Sequence, residues 1–422
     1  MSVKNILAEL SLLPDKSEIS SLKKEAAKFC GMLKDEISRQ KIDADIFIGG
    51  SFAKGTLVKK EGYDIDIFVR FDWEYENLSS YLDNIIKNVC KKNKIRYEKI
   101  HGSRDYFKIN KEGILFEVIP VLRVKNPREE RNVTDLSYFH VRYIKSKINS
   151  RLAAEIAAAK TFCRAHGVYG AESYIQGFSG YALECLILQY KSFEKMLREL
   201  LKAKERIILD PAKKYKDKNE IFISLNEGKL QSPIILIDPT WKERNVLAAL
   251  SLETFNRFKE SAREFLKRPS ISYFSEKKFD VNEMKKEAKR SKAELLHFII
   301  STEKQSGDIA GTKMKKFTNF VVCEIEQYFE IKRKEFIYNN KQEANVYFIL
   351  KSKGEIVRIG PPSKMKDACA AFKKANKNVF EKNGNLHATI KANFSPKQFM
   401  LQWTKKYSKK IKEMDIAKIE IK

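Results

Sequence analysis

Two aspartates separated by a single residue stand inside the run YDIDIFVRF, Tyr63–Phe71. In an extended strand residues i and i+2 share a face, so Asp64 and Asp66 project side by side. Unpaired, two such carboxylates repel, and one of them takes up a proton. A divalent cation between them removes the conflict, and all-oxygen ligands suit Mg²⁺. A third acid, Glu117, interrupts the otherwise apolar strand ILFEVIPV, Ile114–Val121. A lone charge there is costly to bury without a partner or a metal.

Just ahead of the aspartates lies the turn GGSFAKG. Gly49 and Gly50 let the backbone approach a ligand closely. Ser51 adds a hydroxyl and an amide at a helix start, a combination suited to the terminal phosphates of a nucleotide. Gly50 and Gly55 have the separation of a Walker phosphate loop, but that motif then needs lysine and a hydroxyl residue where the chain has Thr56 and Leu57. That reading is rejected. Each piece has an ordinary counterpart: a plain turn, a solvated strand edge, a buried ion pair. Together, a glycine turn, twelve intervening residues, two same-face aspartates and a later third acid point to a phosphate site assisted by metal.

The surrounding pattern is that of an α/β domain ending near residue 135. Residues 21–40 carry Leu22, Ala26, Cys30 and Leu33 on one helical face. ADIFIGG reads as a strand into the glycine turn and NLSSYLDNIIKNVCKKN as an amphipathic helix. Strands follow at IRYEKIHG, YFKIN and ILFEVIPVLRV. From about 138 the texture is helical. SRLAAEIAAAKTFCRAHG places Leu152, Ile156, Ala159 and Cys163 on one stripe and stops at Gly167. SGYALECLILQYKSFEKMLREL reads as the next helix and SPIILIDPT as a short buried strand. Ser251 is a candidate N-cap that opens the helix SLETFNRFKESAREFLKR. Beyond RPSISYF, strands (NVYFILKSKGEIVRIG) mix with helix (KMKDACAAFKKANK) among many lysines.

Charge narrows the partners. Lys and Arg number 82 against 55 Asp and Glu, a net of +27 in 422 residues, which favours a polyanionic partner. The six cysteines show no CxxC pair and the five histidines are scattered, so zinc and a disulfide framework are poorly supported. Lys4, Glu9, Asp15 and Lys16 break up the amino terminus, which does not read as a signal peptide. YALECLILQY, among the longest apolar runs, is interrupted by Glu184, and no run has the length of a membrane span. A soluble, cytoplasmic protein that does not enter a membrane is expected.

GGS…DID…E resembles the nucleotidyltransferase superfamily that includes DNA polymerase β and the poly(A) polymerases. FH at 139–140, AAKTFCRAHGVYGAES, GFSGYALECLI and IDPTWKERNVLAALS narrow the resemblance to the archaeal-type (class I) CCA-adding tRNA nucleotidyltransferases. It runs from about residue 40 to 275 and continues more faintly through RIGPPSKMKDACAAF. The resemblance implies an α+β, multidomain chain: a nucleotidyltransferase head with a mixed sheet over 1–137, a mainly helical neck with the base pocket over 138–265, and a basic α/β body and tail over 266–422.

By the same resemblance Asp64, Asp66 and Glu117 are the catalytic residues and bind two Mg²⁺ ions. The family normally has aspartate at the third position and often glutamate at the first, so the acids here are permuted. Gly50, Ser51 and Lys54 hold the triphosphate, with Lys54 where the family usually has arginine, which keeps the charge and forfeits the bidentate fork. His140, Lys160 and Tyr169 match the remaining nucleotide contacts, and Arg244 matches an arginine beside the incoming base. The implied reaction adds C, C and A to the 3′ end of tRNA from CTP and ATP without a template. The implied partners are the acceptor stem and TΨC arm of tRNA, gripped by the basic carboxyl-terminal part with Lys405, Lys406, Lys409 and Lys410, and a second copy of the chain in a homodimer. Trp403 and Tyr407 pack either on RNA or in the core. Two alternatives stay open: a sibling polymerase (A-only, C-only or poly(A) polymerase-like) and a catalytically inactive RNA-binding relative.

Overall fold

Local capping sets the first elements. The computed structural model describes residues 2–102, 104–276 and 279–422. After α1 (Val3–Glu9), α2 (Lys16–Arg39) starts at a capping box in which Asp15 and Glu18 exchange side-chain and backbone hydrogen bonds. Such a cap contributes about 1 kcal/mol, and it moves the helix start back from residue 21 to Lys16. Next come β1 (Ala44–Ile48), α3 (Gly50–Lys54), β2 (Tyr63–Phe71), α4 (Leu78–Asn93), β3 (Tyr97–Ile100), β4 (Tyr106–Lys111) and β5 (Ile114–Leu122).

The five strands form one mixed sheet in the order β1-β2-β5-β4-β3. β2 and β5 run parallel, and the other neighbours are antiparallel. Helices α2 and α4 cover one face, where Phe29 stacks on Phe116 at 4.6 Å among Leu33, Ile65, Ile67, Leu82 and Ile85. Full burial of one such phenylalanine contributes about 1.5–3 kcal/mol. The other face carries a smaller apolar patch, Phe68, Ile119 and Val121, and, ahead of it along β2, the aspartates.

Helices dominate the following stretch: α5 (Ser137–Lys145), α6 (Ser150–Ala165), α7 (Gly180–Tyr190), α8 (Phe193–Lys202), β6 (Ile207–Leu209), α9 (Lys218–Ser224), α10 (Glu227–Leu230), β7 (Ile234–Leu236) and α11 (Leu252–Lys267). Their shared core holds Phe162, Leu183, Leu186, Phe193, Phe258 and Phe265. Gly167 follows α6 with φ +62°, the left-handed stop expected of it. The run from Ser179 to Leu200 is two helices rather than one. Lys191 turns left-handed and Ser192 accepts the Lys195 amide, a local hydrogen bond that competes with helix continuation.

The chain divides into two compact units, Met1–Lys277 and Lys278–Lys422. The second contains α12 (Val281–Arg290), β8 (Glu294–Ser301), α13 (Asp308–Ile325), β9 (Phe329–Tyr338), β10 (Glu343–Ser352), β11 (Glu355–Pro362), α14 (Lys366–Ala375), β12 (Val379–Lys382), β13 (Asn385–Lys391), α15 (Pro396–Lys406), α16 (Ser408–Glu413) and β14 (Lys418–Ile421). Its sheets have the orders β14-β8-β10-β9 and β11-β13-β12. Trp403 is a core residue beside Phe317 and Phe320, and its indole donates to Glu324 at 3.1 Å. Lys405, Lys406, Lys409 and Lys410 are exposed. Architecturally the chain is an α+β multidomain protein. The six cysteines are free thiols. Among the described residues no helix is long and apolar enough to cross a membrane.

Candidate active site

Strand register brings the acids together. On the parallel pair β2/β5, Asp66 lies opposite Glu117 and Asp64 opposite Leu115, so all three carboxylates share the face turned away from α2 and α4. Asp66 is the most enclosed. Burial, reinforced by the Glu117 and Asp64 charges, pushes its pKa up to about 6. Asp64 is paired with Lys60, and Glu117 with Lys108 at 3.3 Å. Among the described residues no three His, Cys, Asp or Glu side chains are gathered closely enough to hold a metal ion. Glu117 also differs from expectation in burial. Phe116 and Val118 enter the core, whereas its own side chain retains about a quarter of its exposure, at 26%. Even so the donor set fits a divalent cation: oxygen-only ligands, with one acid whose ionisation is opposed by two neighbouring anions.

The glycine turn is built against Asp66. The Gly49 amide donates to the Asp66 carbonyl at 2.8 Å. Gly50 has φ +61°, and a Cβ there would stand 1.6 Å from Asp66 Oδ2. Only glycine lets the backbone pass so close. Gly50 and Ser51 open the short helix α3, whose last residue is Lys54.

Lys54 does not point into solvent. Its ammonium lies 2.6 Å from Glu184 Oε2, and both residues are buried. Lys160 of α6 is 2% exposed and donates to Glu184 Oε1 at 2.8 Å, Thr56 Oγ1 at 3.0 Å and the Thr56 carbonyl at 3.1 Å. It is therefore a core cation rather than a surface lysine. Burial drives the Lys160 pKa down to about 8 against the opposing charge of Glu184. Burial alone would raise Glu184, but Lys160 and Lys54 together hold it at about 2. Arg164, one turn beyond Lys160, lies over the Tyr169 ring at 4.5 Å. A Cβ on Gly180 would meet the Tyr169 hydroxyl at 2.8 Å and Lys160 Cε at 3.7 Å, which places Tyr169 beside Lys160 at the start of α7.

His140 and Arg244 meet at a second buried acid. His140 Nε2 lies 3.1 Å from Asp238 Oδ2 and 3.2 Å from the Arg244 guanidinium, which itself donates to Asp238 Oδ2 at 2.7 Å. Asp238 Oδ1 accepts from the Tyr181 hydroxyl at 3.0 Å and from both Thr240 donors at 2.8 Å. Burial opposes ionisation of Asp238, yet the His140 hydrogen bond and the Arg244 charge hold its carboxyl well below the usual range. Burial keeps the His140 pKa below its ordinary value, and the imidazole stacks on Tyr181 at 4.0 Å. Lys54 approaches the same Tyr181 ring at 5.7 Å.

Sequence reasoning missed Glu184, Asp238, Tyr181 and Thr56. The signal was present for the two acids, since each interrupts an apolar run, YALECLILQY and SPIILIDPT. Both are fully buried, so an unpaired charge at either would cost more than at Glu117.

Residues 30–131 match the family described as nucleotidyltransferase domain, and residues 154–275 the family described as tRNA nucleotidyltransferase, second domain. The CCA-adding enzyme of Nanoarchaeum equitans is 33% identical over 358 residues, covering 83% of this chain and 85% of the relative. That of Saccharolobus solfataricus is 32% identical over 297 residues, covering 69% and 67%. A solved structure of the Cid1 poly(U) polymerase bound to MgATP has a TM-score of 0.50 at 15% identity, covering 65% of this chain and 97% of that one, a likeness of fold alone.

Proposed function

The chain belongs to the archaeal-type CCA-adding tRNA nucleotidyltransferases, and from that membership we propose the following division of labour among its residues. The reaction is template-independent addition of C, C and A to the tRNA 3′ end from CTP and ATP, with release of pyrophosphate. Asp64, Asp66 and Glu117 hold the divalent ions, for which Mg²⁺ matches the all-oxygen donor set. When bound, two such ions supply the Lewis acidity that activates the 3′-hydroxyl and stabilises the leaving pyrophosphate.

The protein's own groups bind and orient. The α3 amides, Gly50, Ser51 and Lys54 receive the triphosphate. Tyr169 and Lys160 flank the sugar and phosphates. His140, kept neutral by burial, and Arg244, fixed by Asp238, present hydrogen-bonding edges to the base. The head extends over 1–137, the neck over 138–265 and the basic body and tail over 266–422, where exposed lysines contact the acceptor stem and TΨC arm through phosphates. The protein works in the cytoplasm, as a homodimer.

One observation carries the reading: Asp66 and Glu117 sit side by side on adjacent parallel strands directly under the Gly50 turn. The test supplies each of the four nucleoside triphosphates to purified protein with tRNA lacking its 3′ end. Expected are Mg²⁺-dependent incorporation of C and then A, pyrophosphate release, and no use of GTP or UTP. Incorporation of a single nucleotide identifies a sibling polymerase. RNA binding without pyrophosphate release identifies an inactive relative.

Glu117→Asp is a sharper probe of the acids. It restores the family's usual side chain at an open position on β5, so kcat/KM for CTP should stay within about tenfold of the parent, or rise. Complete loss of turnover at an unchanged melting temperature would remove Glu117 from the metal-holding set.

A further inference from the structure

We propose that Glu184 is a positioning residue for nucleotide binding: one buried carboxylate anchors Lys160 and holds Lys54 as a cation that an incoming phosphate can take over. The proposal rests on the assignment of Lys54 and Lys160 to the triphosphate end of the site, and it names what aims them.

The two lysines are held differently. An ammonium has three hydrogens, and those of Lys160 meet three acceptors: Glu184 Oε1, Thr56 Oγ1 and the Thr56 carbonyl. Lys160 is thereby fixed, and it acts on a nucleotide through its charge. Lys54 meets the other oxygen, Glu184 Oε2, at 2.6 Å, from the last residue of the helix whose first turn lies over Asp66. Thr56 closes the arrangement by donating to Glu184 Oε1 at 2.6 Å.

Two ammoniums share one carboxylate, so the cluster keeps an excess positive charge away from water. Such an excess is relieved by an anion at Lys54. A phosphate that accepts from Lys54 leaves Glu184 Oε1 with Lys160 and Thr56, so the carboxylate keeps a counter-charge while Oε2 gives up its partner.

Several charged and titratable groups face Lys160. Glu184 projects from α7, and Lys54 from α3. Arg164 lies on its own helix, and Tyr169 on the segment after it. Asp66 and His140 lie beyond Lys54. Lys160 carries its charge below a pKa of about 8 and loses it above, with Glu184 the principal group keeping the proton on. Neutralising Glu184 leaves burial, Lys54 and Arg164 unopposed, so the charge is lost at lower pH.

The experiment measures KM for CTP and kcat from about pH 6 to pH 9 for the parent, Glu184→Gln, Glu184→Asp and Lys160→Met, with melting temperatures alongside. In Glu184→Gln the alkaline rise in KM should begin at least about one unit lower, which makes KM near pH 8 at least about fourfold worse relative to pH 6.5 than in the parent. The shift in kcat should be smaller. Glu184→Asp keeps the charge but is too short to span both lysines, so its KM should rise at every pH with the alkaline limb unmoved. A Glu184→Gln profile superimposable on the parent's, with KM raised in Lys160→Met, overturns the proposal alone. If Glu184→Gln does not fold, a Glu184→Asp protein with parental KM overturns it. Parental KM in Lys160→Met instead overturns the underlying assignment of Lys160.

Discussion

Alanine at Asp66 should abolish nucleotide addition, lowering kcat by more than about a thousandfold. That exceeds the loss from removing a single oxyanion-stabilising donor, because the residue lies between the other two acids and the glycine turn. Binding of tRNA, measured by filter retention, should stay near the parental level, since the lysine-rich surface is untouched. Thermal stability supplies the control. The folded pKa of Asp66 is raised to about 6 by burial and by Glu117 and Asp64. The stability linked to its proton is present below the ordinary aspartate range and lost as pH rises through about 6. At pH above 7 the ionised side chain is a liability to the fold, so its removal should leave the melting temperature unchanged or higher. Normal turnover in this variant would remove the carboxylates from the chemistry. A fall in melting temperature that tracks the lost activity would reduce Asp66 to a structural part.

The second large effect should come from a single methyl group. At Gly50 a Cβ would stand 1.6 Å from Asp66 Oδ2 on a backbone with φ +61°. A non-glycine residue in that conformation costs about 1–3 kcal/mol, and the carboxylate must move aside as well. Displacement of a reacting group by about 1 Å is enough to lose about a hundredfold in rate. Gly50→Ala should therefore lower kcat by about that much or more, together with a reduced melting temperature. Combined with Asp66→Ala, part of the stability loss should disappear, because the clash partner is gone; the two changes should be non-additive. Parental kcat in Gly50→Ala would show that the turn does not set the carboxylate.

Periodicity and spacing revealed the scaffold more readily than the partners. The period-two face of YDIDIFVRF placed Asp64 and Asp66 together, and the structure adds only the parallel neighbour that brings Glu117 alongside. Gly167 as a helix stop and Ser251 as a cap follow from local hydrogen bonding and were legible for that reason. The Asp15–Glu18 box was equally local, yet apolar periodicity alone starts α2 too late. Likewise Ser192 marks the break between α7 and α8 in a run whose hydrophobicity hides it.

What stayed hidden was pairing across long sequence separations. Lys54 and Lys160 could be named as cations, but no pattern along the chain states that both end on Glu184. Nor does one state that His140 and Arg244 converge on Asp238. These contacts depend on how α3, α5, α6 and α7 pack, which is settled by tertiary packing rather than by local signals. An acid inside an apolar run identifies a partner in need of charge, without saying which charge arrives.

Helix α7 carries Tyr181 and Glu184 three positions apart, on one side of a rigid rod. Tyr181 holds the Asp238 cluster and Glu184 the two lysines, so both ends of the proposed nucleotide cradle hang from one spar. Any shift of α7 would move both supports together. In the proposed site, one piece of backbone thereby ties the group beside the base to the groups beside the phosphates.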